Sequence, residues 1–519
     1  MNVMDQIKNI NDTINGFVWG GFGIVLLLGT GLTCTIITRF FQISRLPHIY
    51  RNTVGKFFDR QTHEKLDADH GTLTQFQTIC TALAAIVGAG NITGVSTAIC
   101  VGGPGAVFWM WIAAFFGMMT HYCENVLAVY YRRKNKDSEW SGGPMYYLKD
   151  GLGSYHGFRI TGRFLAVLFC VFTILASFGI GNMGQVNKIT LNIRSAFFGN
   201  ANAPEIFGVS LVSWVVGIVL MVAAAFIVMG GLDRIASFSA TIVPITAILY
   251  TAGAIIIILF NVSRLPELFS SIFRFAFLPR AFAGGITGSI LKNIIDGPVK
   301  NGCKRGIFSN EAGLGSSSMI HSNSSVTEPV RQGMWGIFEV FFDTVVVCTA
   351  TALVVLLSGV IDLETGQSAA GINDAILVSE AFAGIFGRGG EWFVTIAITI
   401  FAFTTVIGWS QYGAKVTEYL FGEKSVKFYR LIFTVAVIFG AVLEPSLAWD
   451  LSDTFNGLMM IPNLIGILAL TPLVIRITRN YTDRRIYHMS IDPMLSYDPY
   501  LQEDFAEKMK TGEKNGKEE

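Results

Sequence analysis

Charge is the first thing this sequence is short of. Only 14% of its 519 residues are Asp, Glu, Lys or Arg, against roughly 25% in soluble domains, too few to coat a water-facing surface on a chain of that length. The net charge is +1, and without a basic excess to neutralise phosphates the sequence argues for no nucleic acid partner. Cysteine is sparse as well. Cys34, Cys80, Cys100, Cys123, Cys170, Cys303 and Cys348 show neither paired nor metal-type spacing, which excludes a disulfide framework or a zinc module and leaves small side chains in apolar surroundings. Missing too are a Gly-x-Ser-x-Gly elbow, a His-Glu-x-x-His pair and a phosphate-cradling glycine loop. The chain therefore reads as no enzyme, with no cofactor and no nucleotide site, and any uphill work it performs must draw on an existing gradient.

What the chain has in abundance is apolar length. Its mean hydropathy is +0.51 and 51% of it is hydrophobic, and runs of about 20 apolar residues, enough to cross a bilayer, follow one another. We place spans at 17–40, 75–101, 104–131, 163–187, 208–230, 235–260, 281–300, 332–360, 391–420, 427–444 and 453–477. The expected fold is an all-α polytopic membrane protein of eleven transmembrane helices, with the lipid bilayer as its surroundings. Residues 1–16 are polar and the first apolar run is too long for the core of a signal peptide, so no cleavable leader is expected. With residues 1–16 outside, the segments 39–74, 131–163, 231–234, 300–331, 415–430 and the tail lie inside and hold most of the 38 Lys and Arg. That bias orients the chain in the cell membrane with its N-terminus outside and its C-terminus cytoplasmic. The tail, 481–519, is polar, and its Lys/Glu-rich end is expected to be disordered.

One span is interrupted. Between Gln75 and Trp111 the apolar stretch is broken by Gly88-Ala89-Gly90-Asn91-Ile92-Thr93-Gly94. Backbone freed at membrane depth has no water to bond, so such a break persists only beside something polar. Glycines release the helix there, and Asn91 and Thr93 add polar groups at the gap. The seventh span, 281–300, is likewise Gly-rich at Gly284, Gly285 and Gly288. An odd spacing of five spans puts the two halves in opposite membrane orientations, the arrangement of transporters with paired interrupted helices. This predicts 75–260 as a first inverted repeat, 261–480 as a second, and 17–74 as an extra helix with a basic inner loop. Glycines that merely let helices pack closely are the alternative for either segment alone.

Longer motifs carry a family resemblance. They are Gly88 to Val95, Gly102-Gly103-Pro104-Gly105-Ala106-Val107-Phe108-Trp109-Met110-Trp111, Ser141-Gly142-Gly143-Pro144-Met145-Tyr146-Tyr147, Gly181-Asn182-Met183, Arg305-Gly306-Ile307-Phe308-Ser309-Asn310-Glu311-Ala312-Gly313-Leu314-Gly315, and Asp343-Thr344 followed by Cys348 to Leu353. In this order, from Gln75 to Trp409, they resemble the signature of the alanine/glycine:cation symporter family, the sodium:alanine symporters. The resemblance implies a leucine-transporter-like five-plus-five inverted repeat and sodium-coupled uptake of a small neutral amino acid by alternating access. Proton coupling is the alternative, and an ion channel lined by broken helices is a more distant one.

A zwitterion needs N–H donors and the positive end of a half-helix for its carboxylate, and carbonyl oxygens for its ammonium. Under the resemblance, amides around Gly90, Asn91 and Thr93, with the Thr93 hydroxyl, are assigned the carboxylate. Carbonyls of Ala283, Gly284 and Gly285 are assigned the ammonium. The resemblance also places Gln185 at the pocket, with Trp409 as a wall. Sodium prefers oxygen ligands, and similarity to leucine-transporter-like folds assigns it the carbonyls of Ala84, Val87 and Phe401 and the hydroxyls of Thr404 and Thr405. A Thr hydroxyl returned to its own helix is the plain alternative. Gly184 departs from the family pattern, where relatives carry a bulkier apolar residue, and the room it leaves makes glutamine the first candidate among larger substrates.

Acids within spans need separate treatment, because charge at membrane depth usually faces a partner or water. Glu339 and Asp343 lie four apart on one helix face. Asp343, which matches the family motif, is the candidate coupling acid, with a structural acid as the equal alternative. Glu124 reads as a structural acid near Arg132 and Arg133, while Lys188, Lys292 and His321 receive no role. Ser309 or Asn310 is expected to cap a short inner helix that serves as a gate or as a rigid corner. Met145-Tyr146-Tyr147 is expected to rest on the bundle from an inner loop.

Overall fold

The computed structural model describes residues 3–57, 72–136, 138–198, 204–277, 295–363, 376–443 and 446–515. Among them, nine helices are long and apolar enough to cross a membrane, and a tenth crossing is a bent pair, α3 (Gln75–Ile86) and the segment Ala89–Gly102, whose axes differ by 58°. The chain is a multi-pass membrane protein. These crossings overlap ten of the expected spans. The seventh, 281–300, falls mostly outside the described residues, and with it Lys292, Ala283, Gly284 and Gly285.

The first crossing, Gln6–Ile37, starts earlier than hydropathy predicts. Residues read as a polar outer segment form α1 (Val3–Val18), which leads into α2 (Gly21–Ile37). Burial separates the helices into two groups. Leu211–Val228 and Gly231–Phe260 bury only 33% of their apolar windows, whereas Pro329–Leu357 and Arg388–Phe421 bury 72%. The first two present Phe226 and Ile248 outward, as lipid-facing helices do. The other two run through the centre.

The centre is built on α5 (Gly105–Tyr130), which packs against α2, the Leu265–Phe277 helix, α7 (Lys300–Asn310) and α8 (Pro329–Val340). Small residues permit that closeness. A Cβ on Gly336 would lie 2.4 Å from Asn125 Nδ2, and one on Gly333 would lie 2.7 Å from the Tyr122 ring, the small-residue contact by which membrane helices approach each other. After α8 the same crossing widens into a π-helical stretch, Phe341–Cys348, before α9 (Thr349–Leu357). Two further helices complete the central set, α10 (Arg388–Phe421) and α11 (Ser446–Arg485).

The tail carries a helix, and its last residues, 516–519, where disorder is expected, lie outside the described residues. Helix α12 (Pro499–Asn515) lies on the protein, with Phe505 and Leu495 packed on Trp140 and with Leu501 and Met509 beside them. Leu501, Phe505 and Met509 recur every four residues and form one apolar stripe, which composition averaged over a charged segment conceals. Met145 and Tyr147 are buried, in keeping with their expected place against the bundle.

Candidate transport site

The interrupted helix sets the site. Helix α3 begins with a capping box in which Thr74 Oγ1 accepts from the Gln77 amide at 3.0 Å and Gln77 Oε1 accepts from the Thr74 amide at 3.1 Å. It ends where Val87 and Gly88 turn extended. Two amides that would have continued the helix bond to side chains instead. Gly88 N donates to Asn91 Oδ1 at 2.9 Å, and Ala89 N donates to Gln185 Oε1 at 3.2 Å. The carbonyls of Ala84 and Ala85 thereby lose their helical donors. Ala84 O receives the Thr405 hydroxyl of α10 at 3.2 Å.

That hydroxyl also lies 3.0 Å from Phe401 O, to which the Thr404 hydroxyl donates at 2.9 Å. Ala84, Phe401, Thr404 and Thr405 are thus brought into one buried group of oxygens, with Val87 at the end of α3 beside it. The contacts of Thr404 and Thr405 to Phe401 are the within-helix bonds that Thr makes in membrane helices, whereas the contact to Ala84 crosses from one helix to another. Gly88 must lack a side chain here, because a Cβ would lie 2.4 Å from Thr405 Oγ1.

A cavity of about 20 Å³, room for a single water, adjoins this group and is lined by Gly88, Gly90, Gln185, Thr405 and Trp409, with Phe308, Glu311 and Asn456 on the opposite wall. Gln185 sits at the start of α6 (Gly184–Ile193), after the π-helical turn Gly179–Met183. The Trp409 indole packs on Gly181, where a Cβ would come within 2.5 Å of the ring. Gly90, Gln185 and Trp409 meet at this cavity. Thr93 does not line it: its hydroxyl donates to Ala89 O at 2.8 Å and accepts from Lys188 Nζ at 2.6 Å.

The Asn91 side chain bridges the break to a buried acid. Besides holding Gly88 N, its amide donates to Asp343 Oδ1 at 2.5 Å. Asp343 also accepts from the Ser309 hydroxyl at 3.1 Å and from the Thr344 hydroxyl at 2.9 Å. The acid therefore ties the first break to the end of α7. Helix α7 stops at Asn310, where Glu311 takes φ +54, followed by Gly313 at +93 and Gly315 at +79. Asn310 donates to Thr344 and accepts from the Ala312 amide rather than capping a following helix. The last turn of α7 faces Gly90, with Ser309 Cα 3.9 Å from where a Cβ on Gly90 would stand, and Glu311 just beyond it reaches the same cavity. Phe308 and Glu311 escaped sequence reasoning as pocket residues, although the motif that contains them was in view.

A second buried cluster adjoins the first. Glu339 Oε2 lies 3.0 Å from His121 Nε2 and 2.6 Å from His321 Nε2, while the Ser317 hydroxyl donates to its other oxygen at 3.0 Å. His121 Nδ1 lies 2.8 Å from Glu124, to which Asn463 donates at 2.6 Å. Glu124 is thus paired with His121 and Asn463, not with the neighbouring arginines. Arg132 instead donates to the carbonyls of Ser322, Ser324 and Val326. Both His121 nitrogens face carboxylate oxygens, so the ring either carries two protons or shares one with a carboxyl.

Residues 4–493 match the model of the sodium:alanine symporter family. The chain belongs to that family. This sodium:alanine symporter family member is 39% identical to the sodium/alanine symporter AgcS of Methanococcus maripaludis, over 93% of this chain and 98% of the relative. It is 34% identical to the probable sodium/glutamine symporter GlnT of Bacillus subtilis, over 93% of this chain and 92% of the relative. A solved structure of MhsT in complex with L-phenylalanine is similar at a TM-score of 0.48 and 14% identity, over 78% of this chain and 98% of that one. As a member of this family the protein is a transporter and not an enzyme.

Proposed function

We propose that this protein is a secondary active symporter that couples sodium to the uptake of small neutral amino acids by alternating access. Alanine and glycine are its first substrates and glutamine the next candidate. The observation that carries the reading is the Ala84 carbonyl, released from its own helix and facing the Thr405 hydroxyl beside Phe401 O. A hard carbonyl oxygen released from its helix, beside hydroxyl and carbonyl oxygens of α10, suits a sodium ion, with Ala84, Val87, Phe401, Thr404 and Thr405 as its ligands.

The substrate would sit against Gly90, Gln185 and Trp409, with its carboxylate toward the amides that follow Gly88. Phe308 and Glu311 would close the other side. The small cavity means that side chains, Trp409 first, must move to admit even alanine. Ala283, Gly284 and Gly285 keep their proposed part in holding the ammonium. Asn91 and Asp343 act in this reading as positioning residues, with Asp343 still a candidate proton carrier. The five-plus-five inverted repeat, an outside N-terminus and a cytoplasmic C-terminus belong to the same proposal, supported by span counting and by the basic loops.

Radiolabelled alanine uptake into proteoliposomes, with sodium and pH gradients imposed separately, tests it. Saturable uptake that follows the sodium gradient is expected. Uptake that follows the pH gradient alone would move the protein to proton coupling.

A further inference from the structure

Away from the transport site, α2 and α11 end beside each other next to the first basic loop. After α2 the chain passes Arg39 at φ +57 and Phe40 at φ +53, a left-handed pair that residues with a Cβ seldom adopt. Such strain persists only where the surroundings fix it. It carries the chain into two short helices, Phe41–Ser44 and Leu46–Asn52. Between this turn and the end of α11 lies a cavity of about 380 Å³, lined on one side by Arg39 and Arg45 and on the other by Arg479, Asp483 and Tyr487.

Three guanidinium groups face this space against one carboxylate. Arg479 pairs with Asp483 at 3.7 Å and remains 82% exposed. Arg45 donates to the Tyr487 hydroxyl at 2.6 Å, and its guanidinium lies 5.4 Å from that ring. Arg39 makes no ion pair among the described residues. The surface around these arginines is apolar: Ile37 lines the cavity, and Ile36, Phe40, Ile43 and Leu46, next to its lining residues along the chain, are exposed. A free anion gains nothing from such a ledge. Acyl chains do.

We propose that this cavity binds the phosphate of an anionic phospholipid, with Arg39, Arg45 and Arg479 as its ligands and the acyl chains lying along the apolar rim. Guanidinium forks match phosphate oxygens two at a time, and basic pockets between membrane helices select such headgroups. Native mass spectrometry of the full-length protein, titrated with phosphatidylglycerol and phosphatidylcholine, tests the site. The protein should retain phosphatidylglycerol preferentially. The Arg39→Gln/Arg45→Gln/Arg479→Gln variant should lose that retention by about 10- to 100-fold, one step for each charge removed near the headgroup, with phosphatidylcholine adducts unchanged. Arg39→Gln alone, which breaks no described ion pair, guards against misfolding and should lose part of the preference. Wild-type retention by both variants overturns the site. Displacement of the lipid by inorganic phosphate as readily as by phosphatidylglycerol assigns the cavity to a free anion and overturns the lipid.

Discussion

Replacing Thr405 with valine isolates one oxygen at the proposed sodium site. The hydroxyl reaches Ala84 O at 3.2 Å and Phe401 O at 3.0 Å, so it joins the broken helix α3 to α10 directly. With sodium bound, its proton would turn away and its oxygen would become a ligand. Valine keeps the β-branched shape and removes only that oxygen. A contact to a charged group is worth roughly 1.5–3 kcal/mol, which is about 10- to 100-fold in an equilibrium constant. The sodium concentration for half-maximal alanine uptake should therefore rise by about 10- to 100-fold in Thr405→Val. The Ala84 carbonyl also loses its donor, at a cost to stability of about 1–3 kcal/mol, which lowers the unfolding temperature without abolishing the fold. Thr405→Ser keeps the oxygen and should stay near the parent protein. The assay is radiolabelled alanine uptake into proteoliposomes against external sodium, at saturating alanine. An unchanged sodium half-saturation in the valine variant, or equal shifts for valine and serine, refutes the assignment.

Three further outcomes follow from the same geometry. Gln185→Leu strips the Ala89 amide of its acceptor and should raise the alanine concentration for half-maximal uptake by about 10-fold, at roughly 1–3 kcal/mol for an orphaned buried donor, with little change in sodium dependence; a sodium shift of equal size would remove Gln185 from the substrate side. Asp343→Asn tests positioning against proton carriage. If the acid only holds Asn91, Ser309 and Thr344, alanine affinity falls while the pH profile of uptake keeps its shape, and a flattened profile makes Asp343 the coupling acid. His121→Gln removes the ring that two carboxylates share and, where that ring is the cation of a buried pair, should destabilise the protein by about 3–5 kcal/mol, the cost of breaking such a pair. An unchanged unfolding midpoint in detergent would mean that the cluster holds no ion pair.

The first break was legible because its cause is local. Glycines at Gly88, Gly90 and Gly94 within an apolar run state where the helix must yield. The long spans were legible for the same reason, since each is a property of about 20 adjacent residues. The wall that faces the break was not. Gly284 and Gly285, to which hydropathy draws attention, lie outside the described residues, and the motif Ser309 to Gly315 is legible as a cap and a corner but not as a pocket wall. Only the packing of α7 brings that motif to the site, with Ser309 Cα 3.9 Å from where a Cβ on Gly90 would stand. The partners of the Asn91 side chain were hidden in a related way. It accepts from Gly88 N within the break and donates to an acid 252 positions along the chain. The pairing of Glu124 with His121 and Asn463 is hidden for the same reason, since Asn463 lies 339 positions away.

The two proposed sites are too close to act independently. In the proposed reading the last turn of α3 would offer its carbonyls to the cation, and a few residues later the same backbone would offer Gly90 to the substrate, so ordering one end of this strip would order the other. Linkage then requires that each ligand raise the affinity for its partner by the same factor. Asp343 extends that coupling across the molecule. Its Oδ1 accepts from Asn91 at 2.5 Å and from Ser309 at 3.1 Å, so the break after α3 and the last turn of α7 are indexed to one oxygen on the π-helical stretch of 341–348. Such stretches are frequent at functional sites. A substrate that draws Gly90 toward Phe308 must therefore carry that stretch along or give up the shared acceptor, and only the first keeps every buried donor bonded.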